Sequence, residues 1–75
     1  MTLNKAKNAQ SVRVVEITGD DATRSLLNQI GIHPDDVIRV VRRAAWGGPL
    51  LVENRETTVA LSRSVARRIL VEATE

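Results

Sequence analysis

The residues best suited to metal binding or acid–base chemistry occur in one short segment. His33 is the single histidine, and Pro34, Asp35 and Asp36 follow it directly. Converging imidazole and carboxylate groups would suit a transition metal ion, but a proline with two aspartates is also the ordinary composition of an exposed turn. Because the chain has no second histidine and no cysteine, we expect no metal site and no bound cofactor.

The chain shows no pattern typical of an enzyme. A catalytic triad would require His33 to lie between a serine and a carboxylate, and the spacing does not support one. Gly47 and Gly48 lack the following lysine of a phosphate-binding loop, so the pair indicates a turn between strands. With 75 residues the chain is also short for a deep substrate pocket. We therefore expect a binding or regulatory protein without catalytic activity.

Trp46 is the first candidate for a residue that binds a partner. It is the only aromatic residue, and it precedes Gly47, Gly48 and Pro49. Small proteins usually bury their aromatics because each ring covers a large apolar area. We expect the ring to pack over the end of the core, since a fully exposed tryptophan disfavours solubility. The outward orientation remains open, because aromatics on loops are common binding anchors. One face of the ring can also pack while the other stays available.

Arginines flank this loop in the sequence. Arg42 and Arg43 precede it, and Arg63 and Arg67 have the i, i+4 spacing of one helix face. Such residues usually form a solvated face or complement a helix end, and the alternative is a patch for an acidic partner or a nucleic acid. The hypothetical partner-binding surface consists of Trp46, Gly47, Gly48, Pro49, Arg42, Arg43, Arg63 and Arg67.

The elements that must position these residues follow from the hydrophobic pattern. Residues 1–10 are polar and without periodicity, which predicts a disordered tail. Residues 11–75 form a single domain. Within it, β-branched runs predict five strands, at residues 12–18, 37–44, 50–53, 57–61 and 69–72.

Two helices are predicted between these strands. The first begins at Asp20 or Asp21 as N-cap and ends at Gly31, with Ile32 making the hydrophobic contact of a Schellman motif. Its apolar stripe consists of Ala22, Leu26, Leu27 and Ile30. The second helix is short, is capped by Ser62, and buries Val65, Ala66 and Ile69.

The order of elements predicts a mainly β fold. Five short strands with one helix after the first strand and a short helix before the last are the order of a small five-stranded SH3-like barrel, in which closure removes exposed edges. The chain has no cysteine and no apolar run long enough to span a bilayer. We expect a cytoplasmic protein that does not insert into membranes.

The sequence resembles a known family. The segment RSLLNQIGIHPDDVIRVVRRAAWGGPLLVENRETTVALSRSVARRILVE is similar to ferrous iron transport protein A (FeoA), and the resemblance covers roughly residues 12–72. It implies a small cytoplasmic SH3-like barrel that modulates a membrane ferrous-iron transporter with a GTP-binding domain, by protein contact and without catalysis. The resemblance implies transition metal ion binding only as a general description of the family.

The chain departs from the family pattern at three points. The family often has glycine where Asp35 follows the turn proline, and aspartate tolerates the left-handed conformation. The family often has a proline followed by an aromatic residue or leucine before Gly-Gly, where this chain has Ala45-Trp46. Glu56 replaces a glycine that is common in the second hairpin, which leaves that turn type open.

Two alternative functions also fit parts of the sequence. An SH3-like nucleic-acid-binding module fits the size, but with one aromatic for base stacking we expect no nucleic-acid partner. A regulatory domain related to those of metal-dependent repressors is the other alternative. The initial methionine and the absence of a preceding helix-turn-helix favour a stand-alone chain.

Overall fold

The computed structural model describes residues 1–74 and consists of one antiparallel sheet with short helices. Five strands have the order β4-β3-β2-β1-β5. This confirms the predicted five-stranded SH3-like fold, and only Glu75 lies outside the described residues. The strands are β1 (Ser11–Ile17), β2 (Val37–Arg43), β3 (Leu50–Asn54), β4 (Thr57–Leu61) and β5 (Ile69–Ala73).

The apolar residues of strand β1 do not alternate strictly between buried and exposed positions. Val12, Val14 and Ile17 are buried, whereas Val15 is exposed. Strict alternation cannot bury both Val14 and Ile17, and the pairing of β1 with β5 accordingly shifts register between Val14 and Glu16. A bulge of this kind places one extra residue and redirects the following side chains.

Helix α1 (Asp21–Gln29) has both predicted caps. The Asp20 carboxylate accepts a hydrogen bond from the Thr23 backbone N–H at 2.9 Å. At the other end Gly31 has φ 86°, and Ile32 N donates to Leu27 O at 2.9 Å. This is the 6→1 bond of a Schellman motif.

The buried face of α1 differs from the prediction. Leu27 is fully buried, but Leu26 is 48 % exposed and Ala22 is also exposed. Thr23 is buried instead, and its hydroxyl accepts a hydrogen bond from Arg68 at 2.7 Å. The stripe is therefore rotated toward Thr23 and Leu27, because a threonine that is satisfied by an arginine can face the core.

Helix α2 (Arg63–Ala66) is short, as predicted, and Ser62 Oγ accepts from Val65 N at 3.2 Å. Ala66 and Ile69 are buried and Val65 packs against the core.

The N-terminal residues do not form the predicted disordered tail. A 3₁₀ turn, Leu3–Lys5, buries Leu3 and Ala6 completely. Met1 O accepts a hydrogen bond from Val71 N at 2.8 Å, and Val40 N donates to Gln10 O at 2.9 Å. The segment thus packs against both β5 and β2. Two apolar residues three positions apart suffice here because a packed sheet surface is already available to receive them.

Candidate partner-binding site

The loop between β2 and β3 presents Trp46 in a tight turn. Ala44 N donates to Pro49 O at 3.0 Å and Gly48 N donates to Ala45 O at 3.2 Å. Trp46 has φ 62° and Gly47 has φ 74°. Positive φ at both central residues is typical of the primed turns that join hairpin strands, but it is unusual for a bulky residue such as tryptophan.

Gly48 is required by a close approach within this loop. A Cβ atom at this position would lie 2.8 Å from Ala44 Cβ and 3.2 Å from Ala45 O. Any side chain would therefore push the two arms of the loop apart.

The Trp46 side chain does not pack over the core. Trp46 is 102 % exposed, as much as in an extended chain, so the expectation that the ring covers the end of the barrel was wrong. The fifteen-residue aliphatic core is complete without it.

Arg63 braces the loop from α2. Its Nε donates to Gly48 O at 2.7 Å and its Nη2 donates to Ala44 O at 3.1 Å. These bonds hold the carbonyls on either side of Trp46, and charge-assisted bonds are stronger than neutral ones. The sequence placed Arg63 beside Arg67 in a surface patch, whereas the structure turns Arg63 inward as a support and leaves Arg67 exposed.

Arg42 and Arg43, the other two arginines of the hypothetical surface, also differ in their contacts. Arg43 is half-buried, and its Nη1 donates to Ala6 O at 2.6 Å, which fastens the N-terminal segment. Arg42 is exposed, and within residues 1–74 it forms no ion pair. Arg42 and Arg67 are therefore the members of the set whose charges remain available to a partner.

A shallow groove of about 430 Å³ lies beside the loop. Its apolar floor includes Pro49, Leu51 and Ala60, and the two arginines Arg42 and Arg43 border it. The floor follows from the sheet register, because Leu51 pairs with Arg42 on one side and with Ala60 on the other.

Charge is divided unequally over the chain. Residues 37–52 and 57–71 contain six of the eleven basic residues and none of the nine acidic ones. The rest of the chain carries five basic and nine acidic residues, a formal charge of −4. The groove and the loop lie within the two basic segments. Glu53 and Glu56 lie between these segments and Arg39 pairs with Glu53, so the unpaired positive charge at the groove is that of Arg42.

The residues around His33 do not converge on a common point. His33 Nε2 lies 2.6 Å from Asn28 Oδ1 and its Nδ1 lies 3.3 Å from Asp36 Oδ2. Asp35, with φ 75°, forms an ion pair with Arg13 at 2.6 Å. Among residues 1–74, no three His, Cys, Asp or Glu side chains are grouped as a metal ion would require.

The model of the FeoA domain matches residues 1–73. The chain belongs to the FeoA domain family. The match includes the N-terminal segment that the structure packs against the sheet.

Solved structures agree with the family assignment. An FeoA-like protein from Clostridium acetobutylicum is 27% identical over 100% of this chain and 87% of its own, with a TM-score of 0.89. A structure described as iron uptake regulatory protein (FeoA) is 23% identical over 97% of this chain and 95% of its own, with a TM-score of 0.86, and at that identity it shows the fold alone.

The same fold occurs within longer proteins. A manganese-dependent transcriptional repressor is 25% identical over 99% of this chain and 41% of its own length, with a TM-score of 0.91. No match was found among curated protein sequences. Among residues 1–74, none of the helices has the length and apolar character needed to cross a bilayer.

Proposed function

We propose that this protein is a cytoplasmic accessory protein of a ferrous-iron uptake system. In this proposal it binds a membrane ferrous-iron transporter with a GTP-binding domain and modulates that transporter by contact, without catalysing a reaction. Membership of the FeoA family supports the link to iron uptake. The size of the domain and the shallowness of its groove favour binding over catalysis.

The observation that carries the proposal is the conformation of Trp46. The ring is fully exposed and buries nothing. Its backbone adopts a left-handed conformation at φ 62°, which costs about 1–3 kcal/mol for a residue other than glycine. Neither core packing nor backbone preference therefore explains a tryptophan here. A side chain that becomes buried against a partner explains both the exposed ring and the costly backbone conformation, because tryptophan is among the most frequent interface hot spots.

The surroundings of Trp46 suit such a role. Arg63 restrains the loop carbonyls, and a restrained loop loses less conformational entropy on binding than a mobile one. The exposed guanidinium of Arg42 adds positive charge at the same end. The partner surface is therefore expected to combine an apolar pocket for the ring with acidic residues around it.

The single tryptophan allows a direct test. The protein is produced with 5-fluorotryptophan, so that Trp46 gives one ¹⁹F resonance, and the purified transporter is added in detergent. We expect the resonance to shift or broaden at stoichiometric transporter and to remain unchanged with detergent micelles alone. The sedimentation of the protein is measured with and without the transporter as a second readout. If neither the ¹⁹F resonance nor the sedimentation changes, the proposed function is contradicted.

A further inference from the structure

The two edges of the sheet are treated differently. Along β5, the N-terminal residues form a cover: Met1 O accepts from Val71 N at 2.8 Å, the Met1 ammonium donates to Val71 O at 3.1 Å, and Thr2 forms an isolated bridge with Leu70. The edge at β5 is thus occupied by the chain itself.

The edge at β4 has no such cover among residues 1–74, so the expectation that closure of the sheet removes its exposed edges was wrong at this edge. Strand β4 pairs with β3 alone, and no other backbone hydrogen bond reaches residues 57–61. The pairing runs without a register shift from Asn54 opposite Thr57 to Leu50 opposite Leu61. In a hairpin closed by a two-residue turn, alternate residues bond across the pair. Thr58 and Ala60 therefore direct their N–H and C=O groups toward the open edge.

Strand β4 also lacks the usual protections of an exposed edge. Natural sheets protect edges with charged residues, proline or bulges. The sequence of β4, TTVAL, contains no charged residue and no proline, and its pairing contains no bulge. An open edge of this kind can accept an added strand from another chain.

The open edge is continuous with the candidate site. Ala60 of β4 lines the groove together with Leu51 and Arg42, and these three residues form one row across β4, β3 and β2. The end of β4 at Leu61 leads directly into Ser62 and Arg63, whose side chain holds the Trp46 loop. One surface thus offers backbone groups, an apolar floor, unpaired positive charge and an exposed ring.

We propose that β4 accepts an extended acidic segment of the partner as an additional strand of the sheet. An alternating acidic and apolar sequence fits best. Its backbone bonds to Thr58 and Ala60, and acidic side chains on the outer face meet Arg42 over the small Ala60. The added strand lies about 14 Å from β2, three strand spacings, which extended arginine and glutamate side chains bridge together.

Charge selects this occupant over a second copy of the same chain. A second copy would add its own β4, whose sequence TTVAL offers no carboxylate to the unpaired Arg42, whereas an acidic segment supplies one. The inference rests on the proposed function for the identity of the partner, and it adds the chemistry of the segment and the way it binds.

The test compares two pairs of variants for binding to the transporter. Thr58→Pro removes an outward N–H and blocks an added strand, and proline is tolerated at such an edge position. Thr58→Val keeps the N–H and is the control. Arg42→Glu reverses the charge in the groove, and Arg55→Glu makes the same change at an exposed position in the turn between β3 and β4.

We expect Thr58→Pro and Arg42→Glu each to weaken binding about tenfold, since each removes at least one hydrogen bond or ion pair from the interface. Thr58→Val and Arg55→Glu should stay within about twofold of the parent. Circular dichroism melts verify that Thr58→Pro remains folded, and Ala60→Pro repeats the test should it unfold. In the parent complex, hydrogen exchange of the Thr58 and Ala60 amides should slow.

Other outcomes overturn the inference in distinguishable ways. Transporter binding that is unaffected by Thr58→Pro and Ala60→Pro, with exchange unchanged at β4, refutes strand addition but leaves the proposed function intact. Self-association of the parent that Thr58→Pro abolishes would assign the edge to a second copy. Tight binding of a single-stranded oligonucleotide that Arg42→Glu weakens and Thr58→Pro does not would assign the basic surface to nucleic acid. Absence of any transporter binding refutes the inference together with the proposed function.

Discussion

The support of the Trp46 loop by Arg63 can be tested by Arg63→Met. Methionine retains much of the apolar stem but removes the two hydrogen bonds from the guanidinium to Gly48 O at 2.7 Å and to Ala44 O at 3.1 Å. A hydrogen bond to a charged group contributes about 1.5–3 kcal/mol, and water competes for both carbonyls at this half-buried site. We therefore expect a loss of about 2 kcal/mol in the free energy of unfolding, a decrease in Tm of roughly 10 °C for a domain of this size.

The same variant should change the motion of the loop. Trp46 is the only tryptophan, so its fluorescence anisotropy reports on this loop alone. In the parent, Arg63 holds the backbone carbonyls of the loop, whereas in Arg63→Met the loop backbone gains fast local motion, so the anisotropy should fall below that of the parent. Arg67→Met is the control, because Arg67 is exposed and lies one helical turn further along the same segment.

Two results would refute this account of Arg63. Arg63→Met with the same anisotropy as the parent would show that the turn is restrained by its own hydrogen bonds. Equal losses of anisotropy and stability in Arg67→Met would show that the effect comes from α2 as a whole.

The remaining predictions concern the core and the first helix. Leu27→Ala should cost about 2–5 kcal/mol because Leu27 is fully buried, whereas Leu26→Ala should change the Tm by only a few degrees; equal costs would contradict the observed rotation of α1. Leu3→Ala should destabilise the protein by a similar 2–5 kcal/mol in chemical unfolding, and an unchanged midpoint would mean that the N-terminal segment does not contribute to the core. The backbone N–H of Thr23 lowers the pKa of Asp20, so this cap stabilises the folded state above pH ~4 and is lost as the pH falls through the lowered value. The parent should therefore lose more stability than Asp20→Ala between pH 5 and pH 2 (roughly the range in which carboxylates protonate), and identical pH profiles would show that Asp20 does not act as the cap.

The sequence was sufficient to predict those features that depend on local chemistry. Asp20 and Gly31 mark the two ends of α1 because capping needs an acceptor and a left-handed residue, and both requirements are visible in residue types. The five strands were likewise predicted within one or two residues, since β-branched runs are bounded by polar breaks.

The features that were missed depend on tertiary packing. Leu26 was predicted to be buried and is exposed, whereas Thr23, which was not part of the predicted apolar stripe, is buried. The rotation of the helix is set by the sheet and by Arg68 rather than by hydrophobicity alone. The burial of Leu3 depends on a surface formed by residues distant in sequence.

The candidate site was predicted in composition but not in arrangement. Arg63 and Arg67 have the spacing of one helix face, yet Arg63 bonds to loop carbonyls that lie 15 and 19 positions earlier in the chain. Trp46 is fully exposed and has a left-handed backbone. No sequence rule predicts that conformation for tryptophan, and its cost is the reason to assign the residue to binding.

The central claim is that Trp46 binds the partner and does not stabilise the fold. The measurement that tests it most directly is Trp46→Asn, examined for stability and for affinity to the transporter in the same preparation. Asparagine tolerates the left-handed conformation, so the account predicts an unchanged or higher Tm, together with an affinity reduced at least about 30-fold, the loss of a hot spot of about 2 kcal/mol. A variant that unfolds, or one that binds the transporter as tightly as the parent, would contradict the claim.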